Sequence, residues 1–565
     1  MIKYYLLIAA VVFVIFLYNT IMFRKNEKKK LMEKIRNNWG KFPKREYSFD
    51  EFLKITYNYQ KHSKGKFVVD DITWNDLNMD EIFKLINNTY SSAGEEYLYK
   101  MLRLPVFEKE ELEKREALIK VFENSEDDSV MFQEIFAKLG RTKKISLSEF
   151  LDKLSEVKRQ GNLIHYFCSL LFVAAVVLLF VSPVAGIFAF LAMLIFNIGI
   201  YYKKKRDVDC YFICFKYLID MIICTEKIVE VNISGVEEYT KRLKESLEKI
   251  KGIKKGSFLI SMNGNSGSLG EIIMEYIRMI FHVDIIKFNK MTETVVKHGC
   301  DIENMFEILG KIESSMAVAS FRKALNYYCI PKFSKERTFD IEEIYHPLIS
   351  NPVTNDIKEN ISVLLTGSNA SGKSTFLKTI AINSILAQTI FTCTAKKYVS
   401  CFFKVFTSMA LRDDLSKNES YFMVEIKSLK RIIDAVETDI PVLCFVDEVL
   451  RGTNTIERIS ASSHILEYIS RQNVFCFAAT HDIELTNILD GVYSNYHFTE
   501  KVKDDDVLFD YKLFKGRAVS RNAIKLLKVI GFDSEIINNA EKMAEIFTKE
   551  GEWVTFKNPN EGIII

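Results

Sequence analysis

Residues 361–375, Ile-Ser-Val-Leu-Leu-Thr-Gly-Ser-Asn-Ala-Ser-Gly-Lys-Ser-Thr, hold the residue types and spacing best suited to chemistry in this chain. The pattern G-x-x-x-x-G-K-S (Gly367, Gly372, Lys373, Ser374) follows an apolar stretch, Ile361–Leu365, and leads into a helix-like run, Thr375–Gln388. Strand, glycine loop and helix in that order make a phosphate cradle. Gly367 and Gly372 let the backbone bend close to a polyphosphate. The N–H groups of Ser368, Asn369, Ala370 and Ser371, with the helix N-terminus at Thr375, supply positive potential. Lys373 is expected to reach the β- and γ-phosphates, and the Ser374 hydroxyl to ligate Mg²⁺. The pattern predicts a bound nucleoside triphosphate.

A second apolar run, Val442-Leu443-Cys444-Phe445-Val446, ends in Asp447-Glu448. In a P-loop fold this strand is expected beside the first, with Asp447 on the Mg²⁺ shell and Glu448 polarising an attacking water. A third, Val474–Ala479, ends in Thr480-His481. A polar residue there can sense a γ-phosphate; a helix cap made by Thr480 is the competing account.

Between and around these strands lie Asp413-Asp414-Leu415 with Ser420, Phe422 and Glu425, then Leu450-Arg451-Gly452-Thr453-Asn454-Thr455, with His346-Pro347 and Ala387-Gln388 upstream. Taken together, residues 345–535 resemble the MutS family of DNA mismatch-repair ATPases, within the wider ABC ATPase superfamily. Weaker similarity covers Asn75-Asp76-Leu77, Asn88-Thr89 through Leu102-Arg103-Leu104-Pro105, and Leu309–Ala319. The resemblance implies an α/β P-loop ATPase domain, its parallel-rich sheet flanked by helices, hydrolysing ATP with Mg²⁺. Lys373, Glu448 and His481 would be catalytic, and Ser374 and Asp447 the metal ligands. It also implies a homodimer with composite sites, Ser420 touching the γ-phosphate held by the other subunit, and action on mismatched or branched DNA.

The sequence departs from the family in places. The phosphate loop reads Ser-Asn-Ala-Ser where Pro-Asn-Met-Gly is usual, a change that spares the backbone N–H groups. Ser520-Arg521-Asn522 replaces Ser-Tyr-Gly. Phe49-Asp50-Glu51 and Phe132-Gln133-Glu134 spell the family's Phe-x-Glu wedge without a mismatch-binding domain around them, so that domain is expected to be missing.

The rest of the chain must position these groups. At 565 residues it is long enough for several domains. Tyr4–Phe23 is an uncharged apolar run of bilayer-spanning length followed by Arg24, Lys25 and Lys28–Lys30. Leu163–Tyr202 is about twice that length, with Ser182-Pro183 at its midpoint and basic residues on both flanks. Three transmembrane helices are expected, with the soluble parts on the cytoplasmic face of the plasma membrane. The expected order is a span at 1–23, a core-like cytoplasmic region at 24–160 and a membrane hairpin at 161–202. A mostly α-helical core or lever region at 203–340, the ATPase domain at 341–535, and a C-terminal helix with tail at 536–565 complete it. Long helices are predicted at Val236–Ile253, Leu269–Met291, Ile302–Tyr328 and Glu535–Lys549. Another is predicted at Ser92–Leu104, opened by a capping box between Ser91-Ser92 and Glu95.

A net charge of +3 is too small to argue for nucleic acid, and ten cysteines without a C-x-x-C pair argue against a metal or disulfide framework. The run Lys251–Lys255 reads as a solvated face. A transporter subunit of the ABC type is disfavoured, since no Leu-Ser-Gly-Gly-Gln signature occurs and the spans carry no charge. A membrane scaffold with a structural ATP site is the remaining alternative.

Overall fold

The computed structural model describes residues 2–142, 145–156, 161–231, 233–255, 269–368, 371–409, 421–436, 439–451, 453–503, 506–518, 524, 527 and 530–555. Two units emerge. Met1–Lys66, Phe83–Leu104 and Glu110–Asn326 form one; Phe67–Ile82, Pro105–Lys109 and Tyr327–Ile565 form the other.

The first unit is helical. Its apolar tract folds into two helices, Leu163–Val181 and Pro183–Glu230. Pro183 opens the second because its fixed φ suits a helix start and its missing N–H is not needed there. Gly186 lets the two helices touch: a Cβ on it would lie 2.5 Å from the backbone of Leu179. Leu163–Val181 and Pro183–Arg206 are each long and apolar enough to cross a bilayer. The three expected spans are not all found: among the described residues there are two such helices. Tyr4–Phe23 lies in a helix that continues to Asn38, and most of its side chains fall outside the described residues. The expected boundary at 202/203 is also absent. Lys203–Arg206 contains good helix formers and no breaker, so the helix runs on to Glu230, 48 residues in all.

Ser92–Arg103 packs against Gly299–Ala324, and Gly310 lets them come close, since a Cβ there would meet the Ala93 carbonyl at 2.6 Å. The expected capping box does not form. Ser91 is the N-cap and accepts from Gly94, while Glu95 is fully buried among Lys54, Arg45 and Arg141 at 2.7, 2.9 and 2.8 Å. A capping box does form at Ser48–Glu51, so Phe49-Asp50-Glu51 is the first turn of a helix; Phe132 is buried core. Both wedge-like triplets lie in helices, Phe49–His62 and Glu126–Leu139. The predicted helix 269–291 is broken at His282, whose φ of 52° separates Leu269–Phe281 from Val283–Lys297.

Among its described residues the second unit holds ten strands: β1 (Lys332–Phe333), β2 (Phe339–Ile344), β3 (Asn355–Glu359), β4 (Val363–Thr366), β5 (Lys397–Ser400), β6 (Lys404–Ser408), β7 (Val442–Asp447), β8 (Val474–Ala479), β9 (Ser494–Lys503) and β10 (Asp506–Lys515). The first sheet has the order β1-β5-β2-β3 and the second β10-β9-β4-β8-β7-β6. In the second, β9, β4, β8, β7 and β6 run parallel and β10 is an antiparallel edge. Near-continuous apolar strands are what a sheet covered on both faces requires. Alternation then divides the residues. Leu364, Cys444, Val446, Cys476 and Ala478 pack with Leu429, Ile432, Leu466 and Ile469 of the helices Tyr421–Asp434 and Thr455–Ser470. Phe445 and Phe477 pair in register on the other face, rings stacked at 5.4 Å, the face that Asp447 shares by period two.

Candidate functional site

Asp447 and Lys373 were expected on neighbouring strands, but β8 lies between β4 and β7. The residue latest in the sequence therefore sits mid-site. Two backbone bonds tie the three strand ends together: Thr480 N–H donates to Leu365 O and Glu448 N–H to Ala479 O, each at 2.9 Å. On that platform the phosphate-loop helix, Lys373–Thr389, starts directly after Gly372, which has φ +109°.

The loop closes tightly. Lys373 is buried, and its ammonium donates to the carbonyls of Gly367 and Ser368, each at 2.8 Å. Gly367 has φ +146°, and a Cβ there would lie 2.9 Å from Ser371 Oγ and 3.0 Å from Phe498 O. The Ser371 hydroxyl is buried with no hydrogen-bond partner among the described residues. The Ser374 hydroxyl donates to Asp447 Oδ2 across the end of β8. Asn369, Ala370, Ser420 and the Asp413–Leu415 segment lie outside the described residues; Thr375 sits in the first turn of the helix.

Electrostatics separate the two acids. Burial pushes the Asp447 carboxyl above its ordinary range, against the pull of the Ser374 hydroxyl. Glu448 is held below its ordinary value, chiefly by the His481 side chain 2.8 Å away, then by Arg451 and Lys373. His481 Nε2 also lies 3.4 Å from the Lys373 ammonium. Lys373, Ser374, Asp447, Glu448 and His481 thus converge, and with Ser371 they line a cleft of about 300 Å³. An ionised carboxylate with a positioned imidazole can orient a water, and a hydroxyl beside a buried carboxylate can hold a divalent cation.

The helix cap expected from Thr480 does not form: Asp482 is the N-cap of the helix Ile483–Ile488. Thr480 Oγ1 accepts the Asp482 N–H at 3.0 Å and shapes the turn, while the imidazole faces Glu448. Arg458 clamps the next residue, Asp482, through two bonds of 2.6 and 2.9 Å. Glu425 is a further support. It is buried and accepts the Leu450 N–H, steadying a loop in which Glu448 and Leu450 both have left-handed φ, 60° and 58°. Its place in a quoted motif was visible in sequence; its target was not.

Tyr511 carried no sequence signal. The β9–β10 register shifts between Phe509 and Leu513, and Tyr511, with φ 52°, sits at this bulge next to Gly372. It lines both the cleft and an adjoining cavity of about 360 Å³ with His346, Val353, Phe376 and Phe498. Burial, with Lys378 nearby, lowers His346 to about 4, so its imidazole is neutral at pH 7. Flat neutral walls beside a phosphate loop suit a planar heterocycle.

The segment bearing this site has known relatives. Residues 363–548 match the family model described as MutS domain V. The DNA mismatch repair protein MutS of Leptospira interrogans is 30% identical over 311 residues, which is 51% of this chain and 36% of that protein. The protein of the same name from Clostridium botulinum strain Hall is 34% identical over 236 residues, 39% of this chain and 25% of its own length. That from Clostridium kluyveri is 29% identical over 282 residues, 47% and 32%. The chain thus spans about a third of the length of the curated relatives it matches. The phosphate loop from Gly367 to Ser374, Asp447-Glu448 and His481 all lie inside this segment, which is similar to MutS domain V.

Proposed function

We propose that this protein hydrolyses ATP with Mg²⁺ and uses the cycle to open and close a homodimeric clamp tethered to the cytoplasmic face of the plasma membrane. One observation carries the reading: the convergence of Lys373, Ser374, Asp447, Glu448 and His481 at the ends of β4, β8 and β7. The buried Ser371 hydroxyl, without a partner among the described residues, and the two positive-φ glycines, of which Gly367 leaves no room for a Cβ, fit a phosphate chain. Ser374 and Asp447 would hold the Mg²⁺, which supplies charge neutralisation on the phosphates. Lys373 leaves the Gly367 and Ser368 carbonyls for the phosphates. Glu448 orients water, and His481 holds Glu448 in its ionised form. The base lies in the cavity beside Tyr511. Ser420 contacts the γ-phosphate held by the other subunit, making ATP the agent of dimer closure.

Action on DNA, mismatched or branched, is the family-based part of the proposal; the relatives are named as mismatch repair proteins. Anchoring rests on the two apolar helices and their basic flanks. The test is Glu448→Gln: nucleotide is retained, the dimer persists, and turnover falls about a hundredfold or more. Undiminished turnover removes Glu448 from the mechanism. Anisotropy with duplex, mismatched and branched DNA over a salt series tests the DNA step, a clamp giving a steep negative salt slope. No binding at low salt leaves an ATPase without nucleic acid.

A further inference from the structure

The helix Leu269–Phe281 packs along the apolar hairpin, yet it lies outside both bilayer-length helices. Its end reaches well into them. Phe281 meets the Phe172 ring at 5.7 Å, and Asn197 Nδ2 donates to the Ile280 carbonyl at 3.0 Å. Phe172 is nine residues into its helix, roughly 13 Å of rise at 1.5 Å per residue. Midway along the helix, Glu275 lies 3.8 Å from Lys205, in the basic flank. The helix therefore descends from the charged boundary toward the level of Phe172.

It then turns back. His282 takes a left-handed φ and is buried, its Nε2 3.0 Å from the Asn197 carbonyl and its Nδ1 3.0 Å from His165 Nδ1. Tyr201 donates to Asp284 at 2.9 Å as the next helix leaves. His165, Asn197, His282 and Asp284 are buried at that depth and bond to one another, to Tyr201 or to backbone carbonyls, as an apolar surrounding favours, while Asn197 Oδ1 has no partner among the described residues. The outer face is different. Ile272, Ile273, Tyr276 and Ile277 fall on one side and are 53, 52, 58 and 36% exposed. On the hairpin against which this helix packs, Leu170, Val173, Ile195 and Phe196 are also exposed.

We propose that Leu269–Phe281 is a third membrane-contacting element, a wedge sunk into the cytoplasmic leaflet. Its four apolar side chains meet lipid, and the His165–Asn197–His282 cluster fixes its turning point. The occupant of the exposed face is bilayer lipid, because the helix that carries it packs on the two bilayer-length helices, whose own apolar side chains are exposed. The inference rests on reading the hairpin as membrane-spanning, and the experiment separates the two.

The photoreactive residue p-benzoylphenylalanine replaces Ile273, Tyr276, Phe180 or Glu293, one at a time, in the full chain reconstituted into phosphatidylcholine–phosphatidylglycerol liposomes. Intact-protein mass spectrometry then reads lipid adducts. Phe180 reports the hairpin and Glu293, exposed on the departing helix, reports water. Lipid adducts at 273 and 276 are expected to match those at 180 and exceed those at 293 about tenfold. Labelling at 180 with 273 and 276 at the level of 293, or protein adducts at 273 and 276, overturns the wedge and leaves the anchor standing. No lipid adduct at 180 overturns the anchor, and the wedge with it.

Discussion

Replacing Glu425 by alanine tests how Glu448 is aimed. The carboxylate is buried and accepts the Leu450 N–H, with the Arg451 amide adding to its hold. Removing it leaves a buried N–H unpaired, a penalty of about 1–3 kcal/mol. Glu448 and Leu450 sit in left-handed backbone at φ 60° and 58°, each about 1–2 kcal/mol above an ordinary conformation. About 3–7 kcal/mol then favours a relaxed loop. A shift of about 1 Å in a reacting group costs on the order of a hundredfold in rate. Glu425→Ala should therefore lower kcat for ATP about a hundredfold while KM stays within about threefold, because the phosphate loop is untouched. Steady-state phosphate release gives both numbers. The decisive comparison is the double variant with Glu448→Gln. If Glu425 acts only by placing Glu448, the double variant is no slower than Glu448→Gln alone. Multiplied losses, or an unchanged kcat in Glu425→Ala, would refute the reasoning. Glu425→Gln retains an acceptor oxygen and should recover most of the activity.

Other expectations are independent of that loop. Gly367→Ala forces a Cβ against Ser371 Oγ and the Phe498 carbonyl, so calorimetry should show ATP affinity down about a hundredfold with the circular dichroism spectrum preserved. Tyr511→Ala should raise KM for ATP about tenfold and leave kcat nearly unchanged, the value of one stacking contact; an altered kcat alone would argue against a base-binding role. Burial raises Glu313 to about 7 from an ordinary 4.5, outweighing bonds from Ser91 and the Tyr90 N–H. Its folded form holds the proton longer than the unfolded chain does. The contribution of Glu313 to stability is thus greatest below about pH 4.5, declines as pH rises to about 7, and is lower by up to about 3 kcal/mol beyond. Glu313→Gln should flatten that slope in urea denaturation, and a slope unchanged in the variant would reject the assignment.

Local signals were legible where chemistry and spacing act within a few residues. The strand–loop–helix order around Gly367–Ser374, the apolar strands ending at Asp447 and His481, and the Ser182-Pro183 turn all emerge at or within a few residues of their expected places. Strand order was not legible: nothing in Val474–Ala479 tells that it inserts between β4 and β7, since all three are uniformly apolar. Glu95 misled because a Ser-x-x-Glu spacing is also met by a carboxylate that buries itself among three cations. The break at His282 was hidden, as histidine is no helix breaker and its left-handed turn is set by tertiary bonds to Asn197 and His165. Tyr511 was invisible because a bulge depends on the pairing of two strands, not on one of them.

The interposed strand also constrains how the polypeptide is made. Val363–Thr366 is completely apolar apart from its last residue and is flanked by β8 and β9, both roughly a hundred residues later in the chain. At ribosomal speeds of about 5–20 residues per second, this segment waits on the order of ten seconds for its partners. During that interval its unpaired edges are open to aggregation, and the nascent chain has no closed pocket with which to retain nucleotide. Translation pauses after residue 366 should therefore harm yield more than pauses after residue 503.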